Sequence, residues 1–200
     1  MKPSPASAPD AAIALFGGSF NPPHLGHLGV CRHVLDAHPG ELWLVPAYRH
    51  PFGKRLSSFE DRVRMSEGLV HELAARTGRV RVSRVEEEVH GQRGWTIDLL
   101  RHLVALHPDA RFRLVLGSDL LEERDRWKDF DEIERLAPPI WVPRRGFDEA
   151  NRSLEREPFL ADIRSVDIRA RVARGEPIES YVGAAVASYI REHGLYREGT

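Results

Sequence analysis

Ala11-Ala12-Ile13-Ala14-Leu15-Phe16 runs straight into Gly17-Gly18-Ser19-Phe20-Asn21-Pro22-Pro23-His24-Leu25-Gly26-His27. The first six residues are a short apolar run stopped by paired glycines, which reads as a buried strand. From Leu25 the pattern turns helical. Leu28, Cys31 and Leu35 recur on one stripe until Pro39-Gly40 ends it. Strand followed by helix is the order that continues along the chain.

Leu42–Val45 is a second apolar run, closed by Pro46. Ala47–Ser58 holds Pro51 and Gly53 and reads as a loop. Ser58 is placed to cap the next helix, with Asp61 three residues on, where a capping box puts its acid. That helix carries Val63, Val70, Leu73 and Ala74 inward and ends near Gly78. Val80–Val85 alternates like a strand with one wet face. Thr96–His107 is helical up to Pro108, Phe112–Leu116 is a strand ending at Gly117, Asp129–Leu136 a short helix, and Ile140–Val142 a short strand. Arg144–Pro158 is charged and irregular. Asp167–Arg174 and Tyr181–His193 read as closing helices, the second with Val182, Val186, Tyr189 and Ile190 inward and Gly194 as its stop.

Alternating strands and helices, with strands that are continuous apolar runs, predict an α/β fold. The expectation is a doubly wound parallel sheet with helices on both faces and small helices at the C-terminal end. Such sheets bind ligands at the carboxyl ends of their strands. Gly17–His27, Ala47–Lys54 and Gly117–Asp119 are therefore the candidate segments.

The composition narrows the function classes. The chain has 200 residues, 42% of them hydrophobic and 30% charged, which predicts a folded core rather than a disordered chain. The 29 basic residues balance 30 acidic ones, so no basic excess points to nucleic acid. No run nears the roughly 18–20 apolar residues of a membrane span. The Pro/Ser/Ala-rich residues Met1–Asp10 lack the apolar core of a secretory signal and are expected to be flexible. Residues 11–200 read as one domain. Cys31 is the single cysteine, which excludes internal disulfides and fits a reducing cytoplasm.

The chemistry concentrates after the first strand. Gly17 and Gly18 let the backbone approach a ligand closely. Free N–H groups there and at the start of the helix suit an anion. His24 and His27 stand three apart on the first helical turn and point the same way. Two imidazoles beside a helix N-terminus can donate to phosphate oxygens and stabilise charge as it develops. No third ligand stands at a zinc-like spacing, so no metal site made by protein side chains alone is expected.

GGSFNPPHLGH resembles the signature of the nucleotidyltransferases that carry an H-x-G-H motif on a Rossmann-like fold. Four further stretches narrow the resemblance to the bacterial nicotinate-nucleotide adenylyltransferases. Trp95-Thr96-Ile97-Asp98-Leu99-Leu100 is similar to their S-Y-T-x-D-T-L element, and Gly117-Ser118-Asp119-Leu120-Leu121 to G-x-D-x-L. Val142–Phe147 resembles V-x-P-R-x-G-Y. Tyr189–Tyr196 resembles Y-I-x-x-x-G-L-Y. Trp127-Lys128 followed by Ile133 also looks like a W-x-x-W/I stretch of that family.

The resemblance implies transfer of AMP from ATP to nicotinate mononucleotide, giving deamido-NAD and pyrophosphate, in NAD biosynthesis. It implies catalytic roles for His24, His27 and Arg169. It implies ATP-binding roles for Gly17, Gly18, Ser19, Phe20, Lys54, Gly117, Asp119 and Ser165. Acceptor-binding roles fall to Asn21, His50, Thr96 and Trp127. Mg²⁺ is the implied cofactor, held mainly by ATP phosphates and waters rather than by a carboxylate cage. The implied partners are the two small-molecule substrates, with no nucleic acid and no membrane. A homo-oligomer stays open. So do a sister enzyme that accepts nicotinamide mononucleotide or phosphopantetheine, and a non-catalytic nucleotide-binding regulator.

Two stretches depart from the pattern. The family's P-P-H-K becomes Tyr48-Arg49-His50-Pro51-Phe52-Gly53-Lys54, with the His and Lys further apart. The family's I-S-S-T-x-I-R becomes Ile163-Arg164-Ser165-Val166-Asp167-Ile168-Arg169. A lost hydroxyl donor to a charged phosphate costs about 1.5–3 kcal/mol unless something replaces it. Arg164 is the candidate replacement. Glu86-Glu87-Glu88 reads as a solvated charge run.

Overall fold

The computed structural model describes residues 11–49, 56–89, 94–142 and 163–197. Within them lie five strands: β1 (Ile13–Gly18), β2 (Leu42–Pro46), β3 (Val80–Val82), β4 (Phe112–Gly117) and β5 (Pro139–Val142). They form one sheet in the order β3-β2-β1-β4-β5, and every pairing is parallel. The helices are α1 (Leu25–Ala37), α2 (Phe59–Thr77), α3 (Thr96–Leu106), α4 (Phe130–Leu136), α5 (Ser165–Ala173), α6 (Glu179–Val182) and α7 (Ala184–Glu192).

Strand alternation distributes the core. Leu15, Trp43, Val45, Leu114 and Leu116 point to the face covered by α3 and α4, joined there by Ile97, Leu100, Leu103 and Ile133. Ala14, Leu42, Leu44, Val115, Ile140 and Val142 point to the face covered by α1 and α2. Each fully buried Leu or Ile contributes about 1.5–3 kcal/mol. A third apolar cluster joins α2 to the closing helices through Met65, Leu69, Ile168, Val182, Val186 and Ile190. The doubly wound expectation holds. The chain leaves β1 towards β2 on one side and returns to β4 on the other, so the switch point lies between β1 and β4.

Local signals set most boundaries. The Ser58 side chain accepts the Asp61 N–H at the start of α2, and Gly78 ends that helix in the left-handed conformation at φ 62°. Gly40 is required sterically, because a Cβ there would sit 1.8 Å from the Ala12 carbonyl oxygen.

Four readings are corrected. Gly17 and Gly18 complete β1 and pair with Val45 and Pro46 instead of stopping the strand. The Val80–Val85 strand ends at Val82, and Val85–Glu87 is a 3-10 turn. Ser118–Arg126 also winds as a 3-10 segment, where no element was expected. Tyr181–His193 is two helices, α6 and α7, broken at Gly183 with φ 81° and ψ 163°. Met1–Asp10, expected to be flexible, and all of Arg144–Pro158 lie outside the described residues.

Candidate active site

Gly17 and Gly18 close β1 at its carboxyl end, next to the switch point. A side chain built at Gly17 would meet none of the described residues within 4 Å, so among them this edge is open to a ligand. At Gly18 it would press on the Phe20 ring at 3.2 Å. Phe20 is buried with φ 47°, and its ring supports His27 edge-on at 4.9 Å. Phe16 packs edge-on against Phe20 at 5.5 Å. The aromatic floor thus fixes the position of an imidazole.

His24 is the N-cap of α1 and is buried, and its ring lies 3.7 Å from that of His27, tilted by 33°. The His24 backbone N–H donates to His27 Nδ1 at 3.1 Å. A backbone amide can only donate, so Nδ1 must accept. In the neutral ring the proton therefore sits on Nε2. The fold presets His27 as an Nε2–H donor beside the positive end of α1.

Asn21 is the hub beneath this turn. It is buried, and its Oδ1 accepts from the Ser57 N–H at 3.1 Å, the Ser57 hydroxyl at 2.8 Å and the Tyr196 hydroxyl at 2.8 Å. Burial pushes the Tyr196 phenol up to about 12, which keeps it protonated as a donor. Arg169 donates to the Asn21 carbonyl at 2.7 Å, and the Ser165 hydroxyl donates to the Pro22 carbonyl at 2.9 Å. So Ser165 and Arg169, on α5, come together with Asn21 and the histidine turn across 143 and 148 positions of sequence. Both bonds go to the turn's backbone. Arg164 is the exposed N-cap of α5, and Val166 is 46% exposed on its first turn.

Thr96 opens α3 and Trp127 precedes α4, both at the carboxyl edge of the sheet and both partly buried. Lys128 Nζ approaches Asp98 at 4.0 Å, joining the two segments. Trp127 packs edge-on to Phe130 at 6.1 Å. Gly117 ends β4 in register with Val142. Asp119 falls in the 3-10 segment that follows, and its side chain lies outside the described residues, as do His50 and Lys54.

Two charged residues escaped the sequence reading. Arg62 on α2 is 1% exposed and bonds the Ser19, Tyr48 and Ser57 carbonyls. Its signal was present: Arg62, Ser66, Leu69 and Leu73 share a helical stripe, all of them buried. Glu86 corrects the reading of the acidic run. It is 8% exposed, whereas Glu88 is exposed and bonds His102 at 2.9 Å and Glu87 pairs with Arg84 at 3.0 Å. Burial raises the Glu86 carboxyl above the ordinary carboxylate range, against the opposing pull of the Tyr48 N–H and the Arg62 charge. No sequence signal separates Glu86 from its neighbours. Among the described residues, no three His, Cys, Asp or Glu side chains gather as a metal cage.

Comparison with known proteins agrees with this geometry. The cytidylyltransferase-like family model matches residues 15–171. A Myxococcus xanthus protein named "Probable nicotinate-nucleotide adenylyltransferase" is 43% identical over 189 residues, covering 94% of this chain and 96% of its own. One of the same name from Anaeromyxobacter sp. is 44% identical, covering 92% and 96%. The structure of Plasmodium falciparum nicotinic acid mononucleotide adenylyltransferase complexed with NaAD superposes with a TM-score of 0.73 at 22% identity, covering 93% of this chain and 97% of that one, and shares the fold. On its sheet order, its paired histidines and these relatives, the chain belongs to the cytidylyltransferase-like family and, within it, to the nicotinate-nucleotide adenylyltransferases.

Proposed function

We propose that this chain transfers the adenylyl group of ATP to nicotinate mononucleotide, with residues 11–200 acting as one catalytic domain. The observation that carries the reading is the His24–His27 pair, with ring centroids 3.7 Å apart at the amino end of α1, beside the exposed Gly17 edge of β1. A 5′-phosphate oxygen of the mononucleotide bonds to the α-phosphorus of ATP. The bond from that phosphorus to the bridging oxygen breaks, and pyrophosphate leaves with the electron pair.

No covalent enzyme intermediate is needed, so the protein's contribution is orientation and charge stabilisation. His27 meets the developing negative charge with its Nε2–H. His24 adds a second imidazole at the same helix end. Backbone groups at Gly17, Gly18, Ser19 and Phe20 line the phosphate path, joined by Lys54 and Gly117, and Asp119 takes a ribose hydroxyl. Thr96, Trp127 and His50 hold the acceptor, with the Trp127 ring as a stacking face. Asn21, Ser165 and Arg169 brace the turn that carries the histidines, and Arg169 keeps nitrogens beyond Nη1 for a phosphate. Mg²⁺ accompanying ATP is expected to rest on phosphate oxygens and waters.

The test is pyrophosphate release from Mg-ATP with nicotinate mononucleotide, nicotinamide mononucleotide and phosphopantetheine offered separately. Turnover with the nicotinate substrate in clear preference is expected. Preference for another acceptor would keep the chemistry and replace the substrate. No release with any acceptor, from folded protein that binds ATP, would overturn the reading.

A further inference from the structure

Arg62 occupies a core position with a charged group. Its Nε donates to the Ser57 carbonyl at 3.1 Å, Nη1 to Ser19 at 3.0 Å and Nη2 to Tyr48 at 3.4 Å. The three carbonyls come from three separate segments: the turn after β1, the loop after β2 and the lead-in to α2. Burying a charge is costly unless hydrogen bonds satisfy it. A planar guanidinium meets that condition by reaching several fixed acceptors at once, which an ammonium point charge cannot reproduce. Buried Glu86 lies close by, its carboxylate favoured by the Tyr48 N–H and the Arg62 charge. Beside this clamp, Ser57 also donates to Asn21 Oδ1, which carries the constraint into the histidine turn.

We propose that Arg62 is a positioning residue whose guanidinium locks the turn after β1, at Ser19, against Tyr48 and Ser57, so that this turn presents one fixed phosphate path. What the path carries rests on the adenylyl-transfer reading; the clamp does not. All three of Arg62's bonds go to backbone, so it acts through the segments it holds. Displacing such segments by about 1 Å costs on the order of 10²-fold in rate.

The experiment compares Arg62→Met and Arg62→Lys with the wild type by kinetics, thermal melting and hydrogen exchange. In protein that melts well above the assay temperature, kcat is expected to fall roughly 10²-fold for Arg62→Met and about tenfold for Arg62→Lys. The KM for ATP rises, while the KM for the acceptor held near Thr96 and Trp127 stays within about twofold on the same logic. Exchange at residues 18–21 and 47–49 quickens, and exchange in the core of β1 and β4 does not. Folded variants that turn over like the wild type, or exchange that quickens evenly across the sheet, would overturn the proposal. Should Arg62→Met not fold, Arg62→Lys decides alone, because it keeps the charge and loses the fork. Wild-type protein that releases no pyrophosphate with any acceptor would defeat the adenylyl-transfer reading, and the exchange comparison would still decide the clamp.

Discussion

The His24 backbone N–H and the His27 Nδ1 share a hydrogen bond of 3.1 Å, so the capping of α1 and the proton placement on the His27 imidazole are one arrangement. His27→Ala removes both. Turnover should fall by about 10²–10³, the loss typical of one preorganised donor to developing charge. Stability should fall by roughly 1 kcal/mol, as for a lost N-cap partner. Pyrophosphate release and urea unfolding measure the two effects, and a wild-type turnover number would remove His27 from the chemistry.

Ser165 stands where the family resemblance expects a phosphate-binding hydroxyl, yet its Oγ donates to the Pro22 carbonyl at 2.9 Å. Ser165→Ala is therefore expected to cost about 0.5–1.5 kcal/mol of stability. The KM for ATP should stay within about twofold, because the bond it loses is to protein. A large rise in that KM alone would return the hydroxyl to the nucleotide.

Glu86 gives a pH dependence with a definite sign. Burial raises its carboxyl, so the folded state holds that proton more tightly than the unfolded chain does. Its stabilising contribution is full below the ordinary glutamate value of about 4.3 and is lost as pH rises through the folded value. Glu86→Gln keeps an oxygen for the Tyr48 N–H and abolishes the titration. The melting temperature of the variant relative to wild type should climb between about pH 4 and pH 8. A flat or falling difference across thermal melts in that range would contradict the assignment.

Gly183 separates α6 from α7 at φ 81° and ψ 163°, a region open essentially to glycine alone. Gly183→Ala should destabilise the protein by about 1–3 kcal/mol. Chemical denaturation of the variant measures this. An unchanged midpoint would mean that the two helices can merge without loss.

The parts of the fold legible in the sequence are those with a local cause. Ser58 and Gly78 bracket α2, and Pro39-Gly40 closes the segment after α1. The parts misread have causes elsewhere in the chain. β3 is an edge strand paired with β2, and it stops at Val82: the alternation fails at Arg84, and Val85 is buried from a 3-10 turn instead. Val182, Val186 and Ile190 keep a helical stripe across the break at Gly183, which hides it from periodicity. The histidine pair was legible because its spacing is its geometry. The supports beneath it were not, since Asn21 meets Ser57 and Tyr196 across 36 and 175 positions. Arg62 was the exception, a charge on an apolar stripe.

The bond from Tyr196 to Asn21 also has a meaning in time. The strands of the sheet can pair as soon as their neighbours exist, but the turn beneath the histidines gains this donor only when a segment 175 positions further on has docked. Contacts that distant are the slowest to close. During refolding, sheet signals should therefore return before catalytic competence, and the interval between them is the docking time of the closing helices.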